Sequence, residues 1–281
     1  MRLHTIDTEL FKLDGGAMFG VVPKVLWDKL NPADENNLCT WAMRLLLVEE
    51  GDRRILVDTG IGSKQDAKFF SHYYLHGEHT LDKSLAAAGF RRDDVTDVLL
   101  THLHFDHVGG AVVRNGDRLE PAFRNATYWS NEDHWKWATE PNAREKASFL
   151  KENILPIRES GQLKFIDVKE GVPFSEHITI RFVNGHTRAM MLPQISLGDR
   201  TLVYMADLLP SADHFPLPWV MAYDMFPLTS MQEKEQFLQE ALDKGYILYF
   251  EHDYRRECCT VKRTEKGIRC ADTFKLETLF T

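Results

Sequence analysis

Thr101-His102-Leu103-His104-Phe105-Asp106-His107-Val108-Gly109-Gly110 is the stretch that decides how this chain folds. It follows an apolar run, Val95 to Leu100, that reads as a buried strand. Three imidazoles and one carboxylate then fall within six positions. His102 and His104 lie two apart in an extended exit from the strand, so their rings point to the same side. Asp106 and His107 are adjacent at an expected helix start and turn to a second point nearby. Imidazole with carboxylate suits zinc and similar divalent first-row metals. Gly109 and Gly110 allow the backbone to pass close to such a site. An isolated H-x-H after a strand would be read as surface histidines. The full H-x-H-x-D-H, set between a strand and a glycine pair, is too dense for that.

Working outward, residues 39 to 60 (CTWAMRLLLVEEGDRRILVDTG) hold two apolar runs around a Glu-Glu-Gly-Asp turn, a hairpin signal, and the second run ends at Asp58. A similar phrase returns at 195 to 211: Gly198-Asp199-Arg200 leads into an apolar strand, Leu202 to Ala206, that ends at Asp207. This is a weak internal repeat. Residues 80 to 88 predict a helix stopped by Gly89, Ser130 to Trp137 and Glu145 to Leu155 predict two more, and Ile178 to Val183 alternates like a strand. Residues 231 to 244 give the clearest helix, with Ser230 and Glu233 as its capping box and Gly245 as its stop. Tyr246 to Phe250 then reads as a strand leading to His252, and Cys259–Arg263 with Ile268–Asp272 as a last hairpin. Hairpins mixed with helices predict mixed sheets. No linker separates two domains, so one domain over 1–281 is expected. Residues 14 to 38 read as a long loop with exposed apolar residues.

The chain has 281 residues, 43% hydrophobic and 27% charged, which excludes a disordered polypeptide and suffices for a full core. No apolar run approaches the roughly 18 residues of a membrane helix, and the N-terminus shows no secretory pattern. The net charge of −8 disfavours nucleic acid or an anionic membrane as partner. Cys39, Cys258, Cys259 and Cys270 match no zinc ribbon and no C-x-x-C motif, and read as reduced thiols of a cytoplasmic protein; a pairing of Cys270 with Cys258 or Cys259 stays open. His72, His76 and His79 form a rival cluster, interrupted by Gly77 and read as solvated surface.

The H-x-H-x-D-H phrase resembles the signature of the metallo-β-lactamase superfamily. His186 (in Asn184-Gly185-His186-Thr187), Asp207 and His252 each follow an expected strand, in that family's order. The resemblance covers about residues 40 to 255. It implies an α/β fold, an αββα sandwich of two mixed sheets flanked by helices. It also implies a dinuclear centre of two divalent ions, zinc foremost. His102, His104 and His186 hold one ion; Asp106, His107 and His252 hold the other; Asp207 bridges both. Asp58, in Val57-Asp58-Thr59-Gly60, is similar to the family's carboxylate that orients a ligand.

Within the superfamily, His104 stands where the flavodiiron branch has Glu. A bridging Asp207 sets the chain apart from the true β-lactamases. No helical C-terminal domain of the glyoxalase-II kind follows His252, and the acidic charge disfavours the RNA- and DNA-processing branches. The chain therefore resembles the lactonases and organophosphate hydrolases. That implies hydrolysis of a small-molecule ester, lactone or related substrate by a metal-bridging hydroxide, with Asp106 relaying a proton to the leaving group. The alternatives are a mononuclear iron oxidoreductase of the persulfide-dioxygenase kind and a thioesterase of the glyoxalase-II kind. Phe19, Val22 and Trp27 are candidates for a substrate wall; a hydrophobic cover or a homodimer contact is the equal alternative. Trp129, Trp135 and Trp137 read as helix packing. Two departures concern substrate. Pro210 stands where lactonases carry a tyrosine, leaving Tyr223 as the candidate for that contact, and Arg188-Ala189 replaces the usual Pro-Gly after His-Thr. Arg188 is read as a surface arginine rather than a contact to an anionic substrate group.

Overall fold

Leu45, Leu46, Leu47 and Val48 are all fully buried, so the strand Arg44–Glu50 has no solvent face over most of its length. It lies in a six-stranded mixed sheet of the computed structural model, which describes residues 1–280. Two compact units divide the chain: Met1–Leu10 with Met43–Val168, and Phe11–Ala42 with the chain from Lys169 onward.

In the first unit, Arg44–Glu50 pairs antiparallel with Arg2–Asp7 and with Arg53–Val57. The Gly51 turn between the last two has φ +56°, which glycine accepts without strain. Asp97–Leu99, Thr127–Ser130 and Leu163–Phe165 then add on in parallel. Parallel neighbours need crossovers. Helix Leu81–Ala87 lies in the first crossover and helices Glu132–Thr139 and Lys151–Glu159 in the last, while the middle one holds the short helix Phe105–Val108 and the hairpin Val112–Asn115 and Arg118–Pro121. Leu85, Trp135, Ile154 and Ile157 join Leu45, Leu47, Leu56, Val98 and Tyr128 in one core. Truncating a leucine of such a core costs about 2–5 kcal/mol.

The second unit holds a seven-stranded sheet. Val172–Pro173, Ile178–Val183, Met190–Leu197 and Arg200–Tyr204 form an antiparallel meander. The helix Pro227–Lys244 carries the chain to Ile247–Tyr249, parallel to Arg200–Tyr204, and the hairpin Cys258–Thr264 and Gly267–Phe274 completes the sheet. The weak internal repeat has a topological counterpart. Each Gly-Asp-Arg turn opens a strand that is antiparallel to the one before it and parallel to the one after its crossover.

Several expectations are corrected. Ser130 ends a strand, and its helix starts at Glu132 with the Asn131 side chain accepting from His134 N at 2.8 Å. Glu145 is not helical in the expected way: a short turn precedes a helix that starts only at Lys151 and runs through Pro156 to Glu159. Ser230 is not a cap. Pro227 at the first helical position starts the helix earlier, and Glu233 turns away to other backbone groups. Residues 14–38 are not one loop. The Asp14 side chain caps helix Gly15–Phe19, and a second helix spans Lys24–Trp27. Phe19 and Trp27 are buried, stacked on each other at 5.2 Å, with Phe19 also stacked on His214 at 4.6 Å. Val22 is buried too; the exposed large apolar residues here are Val21, Val25, Leu26 and Leu30. Of the three tryptophans read as helix packing, Trp135 lies in the core with Trp137 packed against it, as expected, whereas Trp129 sits on the strand Thr127–Ser130 and its indole donates to Asp97. All four cysteines are free. Among the described residues no helix is long and apolar enough to cross a membrane.

Candidate metal centre

In the first unit, Val57 is paired with Leu99 at the C-terminal ends of two parallel strands. The chain leaves these ends as Asp58 and as Leu100-Thr101-His102, side by side, where open α/β sheets gather functional groups. Asp58 adopts φ +58°, an uncommon conformation for a residue other than glycine. It is over-determined by its partners. Thr101 N and Thr101 Oγ1 donate to its two oxygens at 2.7 and 2.6 Å, and His107 Nδ1 donates at 3.1 Å. The Thr101 hydroxyl has one hydrogen, and the carboxylate, which can only accept, takes it. Thr101 Oγ1 therefore accepts from His102 Nδ1, 3.1 Å away. Asp58 thus orients His107 directly and His102 through Thr101.

His104 is held from elsewhere. Its Nε2 donates to Glu145 Oε1 at 2.9 Å, and Glu145, fully buried, also accepts from the Trp137 indole at 2.6 Å. His102 Nε2 and His104 Nδ1 then face each other at 3.1 Å. Each ring's other nitrogen carries its hydrogen, so two lone pairs point into one spot. Two imidazole nitrogens on one tetrahedral zinc at about 2.0–2.1 Å would stand roughly 3.3 Å apart. Asp106 Oδ2 lies 3.8 Å from His107 Nε2, a second such spot. Beside Asp106 the rings of Phe69, Tyr73 and Phe105 pack together, and burial, then the Asp106 charge, pushes the Tyr73 hydroxyl up to about 12. Gly109 and Gly110 lie so close to the Ile61 and Thr59 carbonyls that a Cβ on either would strike backbone; the loop after Asp58 rests directly on the histidine turn.

In the second unit, Tyr204 and Tyr249 are paired at parallel strand ends, and Asp207 and His252 each follow three residues later. His186 comes from the turn after Ile178–Val183. Glu233 fixes that turn by accepting from Asn184 N and Gly185 N at 2.7 and 2.9 Å, and Gly185 is packed against the Ser230 backbone with no room for a Cβ. His186 Nδ1 donates to Asp224 Oδ1 at 2.9 Å and His252 Nδ1 to the Ala42 carbonyl at 2.8 Å. The free edges of both rings meet one carboxylate: His186 Nε2 is 3.0 Å from Asp207 Oδ2, and His252 Nε2 is 3.1 Å from Asp207 Oδ1. Burial lowers the basicity of His186, but Asp207 and Asp224, one at each nitrogen, outweigh it and hold its pKa near about 10. A cation is favoured between His186 and Asp207.

The donor chemistry fits divalent metal. Every candidate imidazole has one nitrogen tied to a protein partner, and its other nitrogen faces a second donor of the same unit, as metal-binding histidines require. Glu145 and Asp224 carry no sequence signal: they lie 41 and 38 residues from the histidines they hold. Of the other candidates, Tyr223, beside Asp224 in sequence, and Arg188 are exposed, Pro210 is buried, and His72, His76 and His79 lie beyond the helix Ala67–Phe70 with no common helical face.

Residues 45–252 match the model of the metallo-beta-lactamase superfamily, and the chain belongs to that superfamily. Its mixed sheets and flanking helices are that fold. It is 31% identical over 241 residues to N-acyl homoserine lactonase AiiA of Bacillus thuringiensis subsp. kurstaki, a match covering 81% of this chain and 86% of the relative. Over 75 residues it is 37% identical to a probable metallo-hydrolase of Mycobacterium tuberculosis, a match that spans only 24% of that relative's length. The crystal structure of a probable metal-dependent hydrolase from Staphylococcus aureus superposes with a TM-score of 0.88 at 28% identity, covering 98% of this chain and 97% of that one. AidC, a dizinc quorum-quenching lactonase, shares the fold with a TM-score of 0.77 at 24% identity, covering 97% and 95%.

Proposed function

We propose that the chain is a dinuclear metal-dependent hydrolase of small-molecule esters, with lactones first among them. The observation that carries this reading is the split of Asp207: one oxygen faces His186 and the other faces His252. A carboxylate so divided suits a bridge between two ions. His102, His104 and His186 are the ligands of one ion, Asp106, His107 and His252 those of the other, with Asp58, Glu145 and Asp224 orienting the imidazoles. We take residues 1–281 as one functional domain. Two divalent ions held by these residues, zinc foremost, would supply a nucleophilic water at neutral pH and would polarise the substrate carbonyl. Asp106 takes the proton and returns it to the leaving alkoxide. Phe69, Tyr73 and Phe105 offer an apolar wall beside Asp106 that excludes water. Tyr223 stands next to the segment whose Met225 N donates to the His186 carbonyl, and it is the group we assign to the substrate carbonyl in place of the tyrosine that Pro210 displaces. The likeness to AiiA across most of the chain supports lactones, and the four free thiols suit a reducing cytoplasm.

The test is a screen of metal-analysed protein against lactones, esters, thioesters and phosphotriesters. Turnover of lactones, abolished by chelator and restored by zinc, is the expected result. Preference for thioesters, or oxygen-dependent persulfide oxidation with one iron per chain, would overturn it.

A further inference from the structure

The chain carries 34 cationic against 42 acidic side chains, yet one cavity of the second unit reverses that balance. It measures about 490 Å³ and is lined by the helix Pro227–Lys244, the segment after His214 and the tip of the last hairpin. Its interior is apolar: Phe215 and Leu238 are buried at its base, with Met231 and Ile268 half-buried beside them. Arg263, Lys266 and Arg269 line its rim, against a single acid, Glu235. Among the described residues none of the three cations forms an ion pair with a carboxylate. Arg263 donates to the Gln239 amide, and Arg269 donates to the neighbouring Ile268 carbonyl at 2.7 Å. The wall is preformed. Lys234, buried in the helix, donates to the carbonyls of His214, Pro216 and Trp219 at 2.9, 3.1 and 2.9 Å and so fixes the segment that supplies Phe215.

An apolar base beneath uncompensated positive charge is complementary to one kind of small molecule, and the volume is that of a small-molecule pocket. We propose that this cavity is a second binding site, separate from the metal donors, for a free aliphatic monocarboxylate. The chain lies over Phe215, Leu238, Met231 and Ile268, and the carboxylate lies among Arg263, Lys266 and Arg269. A longer peptide or a membrane would need an open surface rather than a cavity.

The experiment uses the metal-loaded protein with ¹³C-methyl methionine, which makes Met231 a local reporter among nine methionines. Decanoate at low millimolar concentration should move the Met231 signal saturably. Decanol and acetate, lacking the charge or the chain, should bind at least about tenfold more weakly, as should decanoate to the Lys266→Glu/Arg269→Glu variant. The proposal is overturned if Met231 stays still, if decanol matches decanoate, or if the charge-reversed variant binds as well as wild type. A decanoate response confined to Met205, close to Asp207 in sequence, would place the carboxylate at the metal donors instead. A Met231 shift with protein concentration alone would assign the cavity to a second copy of the chain. Neither result depends on the hydrolase reading, since no metal ligand is altered.

Discussion

Asp207 and Asp58 are both buried carboxylates at parallel strand ends, yet their partners differ in kind. Asp207 faces the Nε2 edges of His186 and His252, whereas Asp58 meets His107 Nδ1 and the Thr101 hydroxyl. Asp207→Ala should therefore lose at least one of two ions and orders of magnitude of turnover, with the fold retained. Asp58→Asn should weaken metal binding only about 10- to 100-fold. Zinc titration with a chromophoric chelator distinguishes them, and the reverse ranking would show the roles exchanged. Glu145 and Asp224 belong with Asp58: each accepts from the rear of one histidine. Glu145→Gln and Asp224→Asn should each lower metal affinity about 10- to 100-fold while circular dichroism stays unchanged. Full affinity in either variant would remove that residue from the support of the site.

At the scale of elements, the sequence was legible wherever a local pattern sufficed. The hairpin at Arg44–Glu50 and Arg53–Val57, the Thr80-capped helix and the helix ending at Gly245 follow from alternation, caps and glycine stops. Segments whose role is set by distant partners were not legible. Glu145 has a helix former's identity but is held in a turn by Asn142, Trp137 and His104. Glu233 has the spacing of a capping box but binds the turn that carries His186. Phe19 and Trp27, in a segment that reads as a loop, are buried because His214 and Trp41 supply rings for them to pack against. His214 allows a test of that packing. Its Nε2 donates to the Met18 carbonyl and its Nδ1 meets the Ser211 hydroxyl, which fixes a neutral ring. Burial, aided by the Lys234 charge and only partly offset by the Met18 bond, lowers its pKa from 6.5 to about 3. Below pH 6.5 the unfolded chain takes up a proton that the folded ring refuses. This contribution to stability is therefore complete above that pH and falls by up to about 1.4 kcal/mol per unit as pH drops towards 3. Denaturant unfolding at pH 8 should show His214→Gln less stable than wild type, with the gap narrowing below pH 6.5. A gap that widens on acidification would mean the ring is charged in the folded protein.

For the whole molecule, two units each end a pair of parallel strands in acids and histidines, and the proposed function needs two divalent ions per chain. Ligand imidazoles must be neutral, so acid releases the metal as pH falls below the histidine range. The most direct measurement is elemental analysis of the native protein, purified without chelator at pH 7.5 and again after dialysis at about pH 4. A dinuclear centre should give close to two divalent ions per chain, zinc foremost, at the first pH and almost none at the second. A single iron per chain in fully active protein, or two ions retained unchanged at the lower pH, would contradict it.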